Sequence, residues 1–596
     1  MSIYDERINS LRRLMREKGI AAFIIPTGDP HMSEYIPESW KLRAWYSGFT
    51  GSAGTLVVTE QQAGLWTDGR YYTQAQQQLA DSKITLFRAS EPDCPPPAAY
   101  VKDSLNAGDT AAVDGRTQSA DTIKRLKKLF AQKQINLLDS DAAMNLWSDR
   151  PRDNCQNIFA LDESTIGCST VQKLLQLRER IAEKQADGVF LSRLDETAWL
   201  FNLRGGDIAC NPVFFSYAFV DAEQAVLFAN IEKIDEAIKQ QLKNQGVSLK
   251  KYEDAQGFLA GIKKPQTVIF DPRGTNSRIM ETAQSNTLLK IKECESPVML
   301  MKAVKNPVEI KNIYEAFRVD AAAQCEFYTW LFAELEQGNT YDEYYLAQKL
   351  TAFRCEQESY ITDSFEPIIG YAENAAVIHY SPQQGTAKTI AKKGLLLNDS
   401  GGQYRFGTTD TTRTTALGEL TAEEKHDFTL CLKAMIALSR AKFKKGTTGE
   451  QLDILARRPF WEKGMDYRHG TGHGVGFLLN VHEGPHGFGA ATNKTPLEVG
   501  MVVTVEPGFY KEGSHGIRIE NVVHVVPDQK TEYGEFYRFD TFTVMPIDTN
   551  CIETQMLDTE EKEWLNNYHK RVWEQVSPLV GEKAKEWLGS KTQPIK

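Results

Sequence analysis

The sequence predicts an α/β fold class, of the α+β kind, with two related α/β domains, a larger β-rich domain and a C-terminal helical extension. Three observations carry this. At 596 residues the chain has room for roughly three to five domains, and 41% hydrophobic content is enough for a core in each. Two stretches of the first half repeat one order of features. The second half places single carboxylates where apolar β-like runs end or break.

The elements follow in chain order. RINSLRRLMREKG reads as an amphipathic helix that runs into the apolar strand IAAFIIP, and a later strand closes in VDGR at 113–116. From Val171, QKLLQLRERIAEKQAD leads into GVFLSRLDETAWLFNLRG, and TVIFDPR ends at Arg273. Helix, strand, then a strand closing in Asp-x-Arg predicts two related domains, since a spacing of ~160 residues is far too long for a solenoid repeat. Pro95, Pro96 and Pro97 read as a loop inside the first. Turn formers and charges at 148–154 and 294–307 mark boundaries, giving domains at 1–152 and 153–305. VEIKNIYEAFRVDAAAQCEFYTWLFAELEQG reads as a long helix ended by Gly338, opening a third domain at 306–540. In the extension, 541–596, Asp558 can cap a helix in which Trp564, Leu565, Tyr568, Val572 and Val576 recur at helical spacing. That stripe is expected to dock on the last domain or on a second subunit.

The net charge of -10 and pI near 5.7 argue against a nucleic-acid partner and suit a neutral or cationic small substrate. The charged N-terminus lacks the apolar stretch of a secretory signal, and no apolar run approaches the ~18 residues that cross a bilayer. Nine cysteines, odd in number and free of CxxC spacing, read as reduced thiols of a cytoplasmic protein.

The chemistry concentrates in five residues. Asp399 ends the apolar strand LLLN, SGGQYRFG turns the chain back, and Asp410 is expected inside the returning Thr-rich strand TTDTTRTT. His469 and His473 have helical spacing, but glycines at 470, 472, 474 and 476 forbid a helix, so the segment must be extended or looped. Glu506 follows the strand MVVTV and precedes Pro507. Glu520 is expected inside GIRIENVVHVV, on the same strand face as Arg518. Each group alone would pass as a satisfied polar residue. Burying four carboxylates together costs several kcal/mol per charge unless cations neutralise them, so the set predicts a dinuclear metal site and a hydrolase. Oxygen-rich coordination with one imidazole favours manganese, with cobalt or zinc also accommodated.

These residues resemble the pita-bread metallopeptidases, the family of methionine aminopeptidase, prolidase and aminopeptidase P. DSGGQY, GTTDTTRT, HGTGHGVG, VHEGP, EPG and GIRIEN are similar to the three-domain, cytosolic type of Xaa-Pro aminopeptidase. RAWYSGFTGSAGTLVV (43–58) and LWTDGRYYTQAQQQL (65–79) match that type's first domain, so the likeness covers nearly the whole chain. It implies two creatinase-like N-terminal domains and a pita-bread catalytic domain. It further implies that Asp399 chelates one of two divalent ions, that Asp410 and Glu520 bridge both, and that His473 and Glu506 complete the other. A metal-bridging hydroxide would attack the Xaa-Pro bond, with Glu506 shuttling the proton to the leaving amine. His379, His469 and His482 would stabilise the oxyanion, relay a proton and border the proline pocket, while Tyr510 and Arg518 would order the substrate and Glu520. His486 and His515 have no match and are expected at the surface or in loops.

The resemblance also implies substrates with proline second, a homodimer, and closure of the site by the first two domains. The alternative is a prolidase-like Xaa-Pro dipeptidase, but the duplicated first half argues against it. Methionine aminopeptidase is usually a single domain, creatinase lacks the metal, and a non-catalytic binding module would have lost ligands.

Overall fold

The computed structural model describes residues 2–152, 156–489 and 494–596. Cys155 and the end of the 148–154 boundary lie outside the described residues. The chain divides into two compact units, Met1–Leu161 with Cys168–Val298, and Asp162–Gly167 with Met299–Lys596.

The first unit holds two sheets of identical design. In one, the strands are β1 (Ala22–Pro26), β2 (Thr55–Thr59), β3 (Ala63–Thr67), β4 (Thr85–Arg88), β5 (Thr110–Val113) and β6 (Asn136–Asp139). Their spatial order is β4-β3-β2-β1-β5-β6. The other uses β7 (Gly188–Leu191), β8 (Ser216–Asp221), β9 (Ala225–Ala229), β10 (Val247–Lys251), β11 (Gln266–Phe270) and β12 (Leu289–Glu293) in the order β10-β9-β8-β7-β11-β12. Each has two antiparallel pairings at its centre and parallel pairings outside them. The predicted duplication is therefore present strand for strand.

Both halves open on helices with capping boxes. Ser2 and Asp5 cap Ile3–Lys18, and Ser169 and Gln172 cap Thr170–Glu183; each helix buries an apolar face, Ile8, Leu11 and Met15 in one, Leu174, Leu177 and Ile181 in the other. Two local expectations change. Pro97 opens the helix Pro97–Ser104 instead of lying in a loop, because a first-turn residue needs no amide donor. After Leu191 the chain turns helical over Leu194–Leu200, so only the start of GVFLSRLDETAWL is strand.

The second unit is built on the 30-residue helix Pro307–Glu336, with Asn306 and Glu309 as its capping box; Gly338, at φ +83°, takes the left-handed turn that follows it. Three antiparallel strands, β13 (Ile368–Tyr371), β14 (Leu395–Ser400) and β15 (Thr411–Ala416), form one sheet. A larger antiparallel sheet contains β16 (Gly472–Gly474), β17 (Glu483–Phe488), β18 (Val502–Val505), β21 (Asn521–Thr531) and β22 (Gly534–Thr541), with β19 (Gly508–Lys511) and β20 (His515–Arg518) paired as a separate hairpin. The sheets and the helices Ala422–Ser439 and Gly449–Trp461 share one core.

Asp558 and Glu561 form the capping box of Thr559–Val576, as the sequence predicts for Asp558. Leu565, Tyr568, Val572 and Val576 are buried in that same core. The stripe is consumed within the chain, so it lends no support to a subunit contact.

Candidate metal centre

Strand register explains how distant carboxylates meet. Asp399 on β14 pairs with Thr412 on β15. Asp410 stands two residues before Thr412, near enough to Asp399 for its charge to raise the Asp399 carboxyl. Asp410 does not lie inside a strand as predicted. It occupies the link before β15, because the intervening chain makes its own hairpin, Gly402–Tyr404 against Gly407–Thr408. That excursion needs Gly401: a Cβ there would sit 1.9 Å from the Thr409 carbonyl oxygen.

His473 lies on β16, which crowds β18 so closely that a Cβ at Gly472 would stand 1.8 Å from the Thr504 carbonyl oxygen. The glycines therefore serve close strand approach. His473 Nδ1–H donates to the Gly474 carbonyl at 2.8 Å, leaving Nε2 facing Asp410 Oδ2 at 3.4 Å and Glu506 Oε1 at 3.6 Å. Glu506 follows β18, its amide donating to the Thr471 carbonyl at 2.8 Å.

Glu520 also departs from expectation. The predicted continuous strand breaks after Arg518, and Glu520 sits in the gap before β21, its amide donating to the Thr412 carbonyl at 3.1 Å. Thr412 Oγ1 in turn donates to Glu520 Oε2 at 2.9 Å. Beyond that break the shared-face rule no longer applies, and Arg518 pairs with Asp399, at 3.0 Å through Nε. Thr412 is the neighbour of Glu520 that sequence reasoning missed; its position two residues after Asp410 was the available signal.

Donor atoms of Asp410, His473 and Glu520 lie within 4.8 Å of one another. Asp399 Oδ1 is buried and has no hydrogen-bond partner among the described residues. This donor set, four carboxylates with one imidazole held in the Nε2-presenting tautomer, fits divalent ions.

Electrostatics point the same way. Burial raises the Glu520 carboxyl well above its usual range, and Asp410, Glu506 and Asp399 push it further. Burial also raises Asp399 and Glu506, with Arg518 opposing it at Asp399 and His473 opposing it at Glu506. Burial opposes charge on His473, yet Asp410 and Glu506 raise it to about 9. Four carboxylates outnumber the positive charge that Arg518 and His473 bring, a deficit that divalent cations would make up.

Around it, Arg518 Nη1 donates to the Tyr510 hydroxyl at 2.7 Å, and that hydroxyl meets His469 Nε2 at 2.9 Å. His469 Nδ1 faces the Gly470 carbonyl at 2.8 Å, so a neutral His469 accepts from Tyr510. His482 lies edge-on to His473, ring centres 4.2 Å apart. His379 is partly buried in a turn, and the carbonyl of the preceding Ile378 accepts from Arg518 at 3.4 Å.

His486 and His515 are not surface or loop residues. His486 is buried on β17 with Nε2 at 2.7 Å from the Val502 carbonyl, and His515 is buried on β20 with Nε2 at 3.0 Å from Asp427.

Residues 311–527 match metallopeptidase family M24. Aminopeptidase P2 of Arabidopsis thaliana is 39% identical across 100% of this chain and 89% of its own length. The chain belongs to the aminopeptidase P family of M24 metallopeptidases. It is a peptidase. Another relative in this family, a probable Xaa-Pro aminopeptidase P of Coprinopsis cinerea, is 39% identical over 99% of the chain and 98% of that protein. Residues 7–145 and 149–309 each match creatinase/prolidase N-terminal domains, and 535–595 match the C-terminal region of peptidase M24. An X-prolyl aminopeptidase from Caenorhabditis elegans, described as a cytosolic enzyme with a di-nuclear active site, superposes with a TM-score of 0.94 at 33% identity, each chain covered completely. The creatinase-like and pita-bread architecture expected of the aminopeptidase P family is thus present.

Proposed function

We propose that the protein releases the N-terminal residue from peptides with proline in the second position, using two divalent ions held by Asp399, Asp410, His473, Glu506 and Glu520. The convergence of Asp410, His473 and Glu520 beside the orphaned Asp399 Oδ1 carries this reading. When bound, two such ions neutralise the carboxylates and lower the pKa of water to supply a nucleophile near neutrality. Manganese suits the oxygen-rich donors, with cobalt or zinc accommodated.

The chain's own residues do the rest. Glu506 takes the proton from the attacking water and returns it to the proline nitrogen as the peptide bond breaks. His379 and His482 donate to the developing oxyanion and border the proline ring. Arg518 fixes Asp399, which reads the substrate's ammonium and confines cleavage to the first bond; Tyr510 and His469 extend that chain toward solvent. Proline's nitrogen carries no hydrogen, so an apolar wall replaces the donor contact other peptidases use.

We place domain limits at 1–152, 153–305, 306–540 and 541–596, and read the enzyme as a cytoplasmic homodimer. Full-length likeness to aminopeptidases P favours this activity over a prolidase-like dipeptidase. No helix among the described residues is long and apolar enough to cross a membrane. Products from Xaa-Pro-Pro, Xaa-Pro and Met-Ala-Yaa peptides test the reading: release of Xaa from Xaa-Pro-Pro is expected, and hydrolysis confined to Xaa-Pro dipeptides overturns it.

A further inference from the structure

A buried carboxylate outside the metal cluster draws together both ends of the segment that carries His379. Glu343, fully buried in the first turn of the helix Glu343–Cys355, accepts from the Tyr371 amide at 2.7 Å and the Lys388 amide at 2.7 Å. Between those ends it also accepts from Asn374 Nδ2, at 3.1 and 3.0 Å, and from the Tyr380 hydroxyl at 2.7 Å. One side chain therefore closes residues 371–388 into a loop. The loop cannot drift on its other side, because residues 372–376 lie against β20: a Cβ at Gly516 would stand 1.8 Å from the Ala375 carbonyl oxygen.

His379 sits between two anchored neighbours. The Ile378 carbonyl is held by Arg518, which also binds Asp399, and the Tyr380 hydroxyl is held by Glu343. Helix Glu343–Cys355 contributes nothing to the metal cluster, so this is an independent support for the imidazole. A carboxylate suits this position because it accepts several bonds at once and donates none, and hydrogen bonds to a buried ion are the strong kind.

We infer that Glu343, acting through Tyr380, is a positioning residue that sets the placement of His379 for catalysis. The inference rests on the proposed function, in which His379 touches the reacting carbonyl. Glu343 itself meets no substrate.

The test is a double-mutant cycle on the metal-loaded enzyme with an Xaa-Pro-Pro substrate. Tyr380→Phe removes one bond to the carboxylate and is expected to lower kcat about tenfold with KM little changed. In a His379→Ala background the same substitution is expected to change kcat by less than about twofold, because the group it positions is gone. Glu343→Gln, which keeps the shape but loses acceptors, should follow the same pattern; if it does not fold, Tyr380→Phe carries the test alone. Equal losses from Tyr380→Phe in both backgrounds, or none in the otherwise native enzyme, overturn the inference and leave the proposed activity standing. A His379→Ala enzyme with native kcat overturns the role of His379 itself, and this inference with it.

Discussion

Stripping the metal should expose a pH-dependent weakness centred on His473. Its imidazole rises from 6.5 to about 9 in the folded chain, since Asp410 and Glu506 outweigh the burial that opposes its charge. A folded-state value above the unfolded one stabilises the fold fully below about pH 6.5, and that stabilisation disappears as pH climbs through about 9. Fully shielded, such a rise would be worth about 3 kcal/mol; 23% of the side chain is accessible, and screening reduces this to about 2 kcal/mol. The measurement is urea unfolding of the chelated protein and its His473→Gln variant, followed by tryptophan fluorescence from pH 6 to 9.5. The native chain should exceed the variant by about 2 kcal/mol at pH 6, converging with it by pH 9.5. With manganese the trend reverses, because binding requires the neutral imidazole and ionised carboxylates, so stabilisation by metal grows with pH. A gap that is constant or widens with pH in the chelated protein refutes the reasoning.

Other perturbations have defined outcomes. Arg413 is buried and donates to the Met545 carbonyl at 2.8 Å, to Asn521 Oδ1 at 2.8 Å, to the Tyr568 hydroxyl at 2.7 Å and to the Glu520 carbonyl, tying the C-terminal helix to the segment that carries Glu520. Arg413→Met should therefore cost about 3–5 kcal/mol in urea unfolding and release metal more readily. Tyr510→Phe cuts the bonds to Arg518 and His469 and should lower kcat about tenfold with metal content unchanged, as steady-state kinetics and metal analysis would register. Lys302 and Lys305 both bond Glu483 in a buried triad, so Glu483→Gln should destabilise by about 3–5 kcal/mol in the same unfolding assay.

The parts legible in the sequence are those with local causes. The cap at Asp558 and the apolar spacing of the three amphipathic segments predict helices that form, and the repeated helix-then-strand order predicts the twin sheets. The five carboxylate and imidazole positions stand out because apolar runs rarely carry them. What fails to show locally is where a strand stops. Thr-rich alternation around Asp410 favours extended backbone, but the hairpin at 402–408 takes the pairing, and Asp410 is left in the link just before β15 pairs with β14. GIRIEN alternates like one strand, yet Glu520 is claimed by Thr412 across the sheet, which breaks it. Burial of His486 and His515 is equally hidden, because their partners, Val502 and Asp427, are remote in sequence.

Metal content of the purified chain after equilibration with manganese tests the central claim most directly. Two ions per chain are expected, with peptidase activity lost on exhaustive chelation, and Asp410→Ala should abolish both. Full activity in a chain holding less than one ion would contradict the account.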